Sequence, residues 1–224
     1  MHHLITDRIA VTPELSPLFT EKLLLMPNSF FLWEDYGDPL PIQLQKGYTA
    51  PNLEEHLPGD AGFLFACFNN LYKVSPKAFS AWSKILKSVP DSTLWMIKMP
   101  PGAEERLWKE AESRGIPQKR LVMSDLFDMQ HHLKVKSGAT LFLDTFVYNA
   151  HSSACDSLAA GVPLLTMPGD SMPSRVGASL AYNAGMSLLV SNSLESTDPT
   201  KHQISRGMWR GHIAFAVSKP SKKP

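Results

Sequence analysis

From residue 61 onward the chain alternates between two hydrophobic periods. The stretches "AGFLFACFN" (61–69), "STLWMIKM" (92–99), "RLVMS" (120–124) and "LFLD" (141–144) are short, nearly continuous apolar runs of the kind that fill buried strands. Between them, "SPKAFSAWSKILKSV" (75–89) and "GAEERLWKEAESRG" (102–115) carry the helical period. The first has Ser75 as cap, Pro76 at its first position, and Phe79, Trp82, Ile85 and Leu86 on one face; the second is closed by Gly115. A short helix around 128–137 leads into "LFLD". Beyond it, Ser152 and Ser153 are N-cap types that open the helix "ACDSLAA", which Gly161 closes. "VPLLTM" is then a buried strand, 173–185 a helix, and "MSLLV" (186–190) a sixth strand. Strands joined through helices pack as a parallel sheet covered on both faces, an α/β architecture whose ligands bind at the carboxyl ends of the strands.

The flanks follow neither period. Residues 1–60 hold one helical stretch, "PLFTEKLLLM", then a segment rich in Pro, Gly and acidic residues, and read as an arm or linker docked on a sheet domain spanning 61–192. Residues 193–224 lose periodicity and end in "AVSKPSKKP", the composition of a disordered basic tail. With 224 residues, 43% of them hydrophobic, the chain can bury a substantial core. A net charge of +1 without a long basic run gives no footing for nucleic acid, so any binding electrostatics are local. Cys67 and Cys155 lie far apart and outside any CxxC spacing, which fits a reducing compartment and no thiolate metal site. The sequence carries no signal-peptide pattern and no apolar run long enough to span a membrane.

Candidate chemistry gathers after the strands. In "NAHSSACD", His151 stands at a helix entrance and Ser152 and Ser153 in its first turn, where free amides and the helix dipole suit a phosphate. Asp156, one turn on, could accept from a ribose diol; the same residues also fit a plain capped helix with a solvated aspartate. After the first strand, Asn70 and Lys73 offer an amide donor and an ammonium to a phosphate. "MQHHLKVK" sets His131, His132, Lys134 and Lys136 together as a small cationic cluster; adjacent histidines point different ways on a helix, so no zinc site is expected. Asp144, ending its strand, is either an acid/base group or the cap of the next loop.

The stretches "NNLYKVSPKAFSAWSKILKSVPDSTLWMIKMP" and "LDTFVYNAHSSACDSLAAGVPLLTMPGDSMPSRVGASL", with the upstream "ITDRIAVTPELSPLFTEKLLLMPNSFF", resemble the catalytic region of the O-linked N-acetylglucosamine transferases. The resemblance implies the Rossmann-like C-terminal lobe of a GT-B glycosyltransferase, with residues 1–60 the tail of a first lobe plus linker. It further implies inverting transfer of N-acetylglucosamine from UDP-N-acetylglucosamine to Ser or Thr of cytoplasmic and nuclear proteins, with no metal or other cofactor. Lys73 would be catalytic, neutralising the leaving diphosphate. Asn70 stands where the family usually has glutamine; His151, Ser152 and Ser153 correspond to its phosphate-binding His-Thr-Thr, Asp156 to its ribose aspartate and His132 to a histidine beside the uracil. Met129 and Val135 replace a family lysine and arginine, leaving Lys134 or Lys136 to supply those contacts. The first lobe's acceptor side and the tetratricopeptide repeats have no counterpart, so the isolated chain is expected to be inactive. A non-catalytic UDP-binding or interaction module, and a Spindly-type protein O-fucosyltransferase, are the alternatives.

Overall fold

The computed structural model describes residues 2–31, 62–125 and 132–193. Its centre is a five-stranded sheet of β3 (Phe63–Cys67), β4 (Ser92–Ile97), β5 (Leu121–Ser124), β6 (Leu141–Leu143) and β7 (Leu164–Leu165). All pairings are parallel, in the order β5-β4-β3-β6-β7. Strands covered on both faces have no polar side to alternate with, and every residue of β4 and β6 is buried. Phe65, Leu94, Trp95, Met96 and Phe142 are fully buried at the centre. Trp95 can be so because its Nε1 donates to Ser124 Oγ at 2.9 Å.

α1 (Pro76–Ser88) begins as its sequence predicts, Ser75 accepting from the Ala78 amide at 3.2 Å, and buries Phe79, Trp82, Ile85 and Leu86. Arg120 closes its other end, donating to the carbonyls of Leu86 at 2.6 Å and Val89 at 2.7 Å. α2 (Glu104–Ser113) precedes β5, α3 (His132–Lys136) precedes β6, and α4 (Ser152–Ala159) joins β6 to β7. Gly161, at φ +76°, ends α4 in a conformation that costs other residues energy. α5 (Val176–Asn183) follows a 3-10 turn, Met172–Ser174, so the helix predicted over 173–185 is split in two.

The topology defines where a ligand would sit. The first three strands of the sheet run outward in one direction, β3 to β4 to β5, and the chain then crosses back so that β6 pairs with β3 on its other side. The loops leaving β3 and β6 therefore diverge from neighbouring strand ends. Such a switch point is the binding crevice of open parallel sheets.

Two predicted elements are corrected. "PLFTEKLLLM" is not a helix: Ser16–Leu18 is a 3-10 turn, and β2 (Lys22–Met26) pairs in parallel with β1 (His3–Asp7), an element the sequence reading did not contain. Three consecutive leucines cannot share one helical face; β2 is exposed along most of its length, and its pairing with β1 is what makes it a strand. Likewise 186–190 is no sixth strand. Gly185, at φ +75°, turns the chain, Ser187–Leu189 forms a 3-10 turn, and only Val190 reaches the sheet in a single bridge to Thr166.

The β1–β2 unit is fastened to α5. Asp7 accepts from the amides of Ile9 and Ala10, both at 2.8 Å, and from Ser179 Oγ at 2.7 Å, while Arg175 Nε donates to the Ile9 carbonyl at 2.8 Å. The predicted linker over 32–60 and tail over 194–224 lie outside the described residues.

Candidate functional site

At the switch point a buried polar network ties the loops together. Asn69, at the end of β3, donates from Nδ2 to Thr145 Oγ1 at 3.0 Å and to Asp144 Oδ1 at 3.4 Å. Its Oδ1 accepts from Ser153 Oγ in the first turn of α4 at 2.6 Å. Asp144 also accepts from the amides of Thr145 at 2.8 Å and Ala150 at 2.6 Å and from Thr166 Oγ1 at 2.7 Å. Burial pushes its pKa up to about 6, against these donors and the nearby Lys73 charge. With both oxygens engaged, Asp144 caps the loop; the acid/base reading is set aside.

Over this network sits the cation. Lys73 is in a 3-10 turn, Leu71–Lys73, and is half-buried; its Nζ donates to the Asn149 carbonyl at 3.1 Å and lies 3.8 Å from the centre of the Tyr148 ring. Burial lowers its pKa, while Asp144 and Cys67 oppose the shift. His151 occupies the N-cap position of α4, one residue before the predicted cap Ser152, and makes no side-chain cap bond. Its Nε2 lies 3.2 Å from the Pro173 carbonyl, an acceptor only, so the proton is assigned to Nε2 and Nδ1 is left as an acceptor. Burial lowers the His151 pKa, which favours that neutral form. The ring packs edge-on against Tyr148 at 4.8 Å and Phe31 at 5.4 Å.

Lys73 and His151 thus stand at the start of α4, with Ser152 and Ser153 in its first turn. The first-turn amides of Ser152 and Ser153 have no intrahelical acceptor, because the residues that precede them lie outside the helix; the Ala154 and Cys155 amides are the first to turn inward, to the His151 carbonyl. A half-buried ammonium beside a helix start at a switch point is an arrangement whose charge and dipole suit an anion. Ser152 is exposed, whereas Ser153 commits its hydroxyl to Asn69 and offers its amide. Asn70 begins the Leu71–Lys73 turn half-buried and makes no side-chain cap bond.

Asp156 departs from the solvated alternative: it is buried, and its Oδ2 accepts from Lys136 Nζ at 2.7 Å. Lys136 is also buried, with its ammonium 5.5 Å from the Phe68 ring centre. α3, which His132 opens, packs on α4; the side chains of His132 and Lys134 and all of Met129 and His131 lie outside the described residues.

Sequence reasoning missed Asn69, Thr145, Tyr148, Asn149 and Thr166. A signal existed for Asn69, a polar side chain following an apolar strand; for Tyr148 only an aromatic residue in a loop marks the position. Both cysteines are free and buried, their pKa values raised to about 12 for Cys67 and about 11 for Cys155, so neither is a poised nucleophile. Among the described residues no three His, Cys, Asp or Glu side chains gather as a metal site, and no helix is long and apolar enough to cross a membrane.

Comparison with known proteins converges on one family. Residues 48–206 match the family model described as glycosyl transferase family 41. The chain is 33% identical over 194 residues to the probable UDP-N-acetylglucosamine–peptide N-acetylglucosaminyltransferase SEC of Arabidopsis thaliana, covering 86% of this chain and 20% of that protein. It is 38% identical over 137 residues to a Caenorhabditis elegans UDP-N-acetylglucosamine–peptide N-acetylglucosaminyltransferase, covering 61% and 12% respectively. Among solved structures, a mutant O-GlcNAc transferase of Thermobaculum terrenum superposes with a TM-score of 0.79 at 26% identity, over 97% of this chain and 41% of that one. The chain thus spans about a fifth of the length of the first of these relatives.

Proposed function

The chain belongs to glycosyl transferase family 41, and from that premise we propose that it is the donor-binding half of a protein O-GlcNAc transferase. In this reading UDP-N-acetylglucosamine lies across the switch point. Its diphosphate meets the Lys73 ammonium and the amides of Ser152 and Ser153, with Asn70 donating beside them and His151 Nδ1 facing the donor. The ribose reaches toward Asp156 and the uracil toward His132. The observation that carries the proposal is the placement of Lys73 Nζ, held by the Asn149 carbonyl at 3.1 Å next to the start of α4.

The chemistry assigned to this half is leaving-group stabilisation. A Ser or Thr oxygen of an acceptor protein attacks the anomeric carbon from the face opposite UDP, the bond from that carbon to the β-phosphate oxygen breaks, and configuration inverts. Negative charge develops on the departing diphosphate, where a fixed ammonium and helix amides stabilise it by several kcal/mol without reorganising. No metal has to share that charge. The acceptor hydroxyl needs a second wall of the cleft, and orientation between two walls supplies about 7–11 kcal/mol of barrier lowering. The chain alone is therefore expected to bind donor and to transfer little; acceptors are cytoplasmic or nuclear proteins, a reducing setting that suits the free cysteines.

Calorimetric titration with UDP, GDP and uridine tests the proposal. UDP should bind more tightly than GDP. Lys73→Ala should weaken UDP by about tenfold to a hundredfold, the worth of a charge-assisted contact, and leave uridine unchanged. Equal binding of UDP and GDP by folded protein, or a Lys73→Ala variant with full UDP affinity, would overturn it.

A further inference from the structure

Lys73 is held by the protein's own groups. Among the described residues its Nζ meets two groups, both from the same stretch of the loop after β6: the Asn149 carbonyl at 3.1 Å and the face of the Tyr148 ring, whose centre is 3.8 Å away. The ring itself is fixed. The Tyr148 carbonyl accepts from Thr145 Oγ1 at 2.6 Å, which ties its backbone to the buried network, and its edge meets His151 at 4.8 Å. Tyr148 is nevertheless 39% exposed, so it is not a core residue filling space.

An ammonium has three protons. The carbonyl takes one and the ring face accepts the approach of a second, which leaves the third for an anion at the mouth of α4. A lysine on a free four-carbon stem would lose its rotamer freedom when it grips a phosphate; one already held has lost it on folding.

From this geometry we infer that Tyr148 is a positioning residue for the diphosphate: its ring, not its hydroxyl, clamps the Lys73 ammonium against the Asn149 carbonyl in the orientation that meets the phosphate. The inference rests on the donor-binding reading above, and it assigns a role to a side chain that the sequence motifs did not single out.

Two measurements on the full chain separate this inference from the reading beneath it. The first needs no ligand. In the carbon-13 NMR spectrum of lysine-labelled protein, the Lys73 ε-methylene protons should be shifted upfield by the Tyr148 ring current. The shift should survive in Tyr148→Phe and disappear in Tyr148→Leu; an unshifted resonance in the parent protein overturns the clamp directly. The second is calorimetry with UDP and uridine. Tyr148→Leu should weaken UDP by about threefold to tenfold, the worth of a partly desolvated cation–π contact, with uridine unchanged and Tyr148→Phe like the parent. In a Lys73→Ala background, Tyr148→Leu should change UDP affinity no further. An equal loss in that background, or a Phe variant as weak as the Leu variant, refutes the positioning role. A ring-current shift in a protein whose UDP affinity ignores Lys73→Ala would mean that the clamp exists and that the donor-binding reading has failed.

Discussion

Replacing Asp156 by asparagine asks two things of the protein at once, because the proposed ribose ligand is also half of a buried ion pair. Lys136 Nζ and Asp156 Oδ2 are 2.7 Å apart, with side chains only 8% and 12% exposed. Exposed pairs contribute little, about 0–1 kcal/mol. A buried pair deprived of one partner is a different case: an ammonium stays in the interior without its counter-charge, and losses are about 3–5 kcal/mol. The ammonium can instead give up its proton, at about 1.4 kcal/mol for each pH unit below the ordinary lysine value, or roughly 5 kcal/mol at pH 7. The two routes converge on the same magnitude. Asp156→Asn is therefore expected to lose about 3–5 kcal/mol at pH 7.

The pH dependence identifies the cause. Burial lowers the Lys136 pKa, so the unfolded chain binds this proton more tightly than the folded one, and stability from this group rises with pH between the folded and unfolded values. Without Asp156 the folded value falls further. The deficit of Asp156→Asn should then shrink from pH 7 to pH 9, where deprotonation costs only about 2 kcal/mol. Urea unfolding at both pH values is the assay, with a midpoint lowered by roughly 1–3 M at pH 7. Adding Lys136→Met should recover most of the loss, since no buried charge then remains. A variant that unfolds at the parent urea concentration with the same slope, or whose deficit is constant from pH 7 to 9, refutes the reasoning. Where the variant is folded, loss of affinity for UDP but not for its 2′,3′-dideoxy analogue would mark the ribose contact.

Other perturbations test the scaffold around the site. A methyl group at Gly177 would press on the Asp144 carboxylate, lie 2.7 Å from Thr166 Oγ1 and 3.3 Å from Asn149 Oδ1, so Gly177→Ala should cost about 1–3 kcal/mol; an unchanged melting temperature would contradict this packing. Asp144 has its pKa raised from 3.8 to about 6, so the folded state holds the proton more tightly and this group's contribution falls by about 3 kcal/mol as pH rises from 4 through 6. Asp144→Asn should remove that slope in urea midpoints taken from pH 4.5 to 8, and equal slopes in both proteins would exclude Asp144 as its source. Ile5, Leu24, Leu25 and Met26 are exposed on the β1–β2 pair, so the chain should associate with increasing concentration in sedimentation velocity, and Leu24→Glu should reduce this; a parent protein monomeric at every concentration would show that the apolar strands are tolerated in water.

The α/β plan was legible because each buried strand is an apolar run and the stretches between them carry the helical period. Ser75 and Pro76 mark the start of α1, and the aromatic residues placed in the core, Phe79, Trp82 and Trp95, are buried there. What stayed illegible are facts about pairing. Nothing local in "LFLD" says that β6 returns to the free side of β3, yet that return creates the crevice. Nothing local in "HLITD" says that it is a strand, since five residues with one buried face turn on which partner they meet. Asp156 reads as either a ribose ligand or a solvated residue and Lys136 as part of a cationic cluster; that the two form a buried pair arises only when α3 packs on α4.

Residues that bind and residues that position leave different traces in this sequence. Lys73, Ser152 and His151 look like ordinary loop and helix-start residues, and only their convergence gives them meaning. Asn69 and Asp144 look wrong for where they stand, polar side chains at the ends of apolar strands, and that misfit is itself informative. A buried amide or carboxylate without partners costs about 1–3 kcal/mol or more, so each must have found several. Asn69 joins the end of β3 to the loop after β6 and, through Ser153, to the first turn of α4. Asp144 gathers the Thr145 and Ala150 amides on either side of Tyr148 and Asn149, the two residues that hold Lys73. The precision of the anion site is therefore set one layer beneath it, by groups that need never touch the ligand. Fully paired buried groups confine these loops more firmly than the exposed contacts above them could.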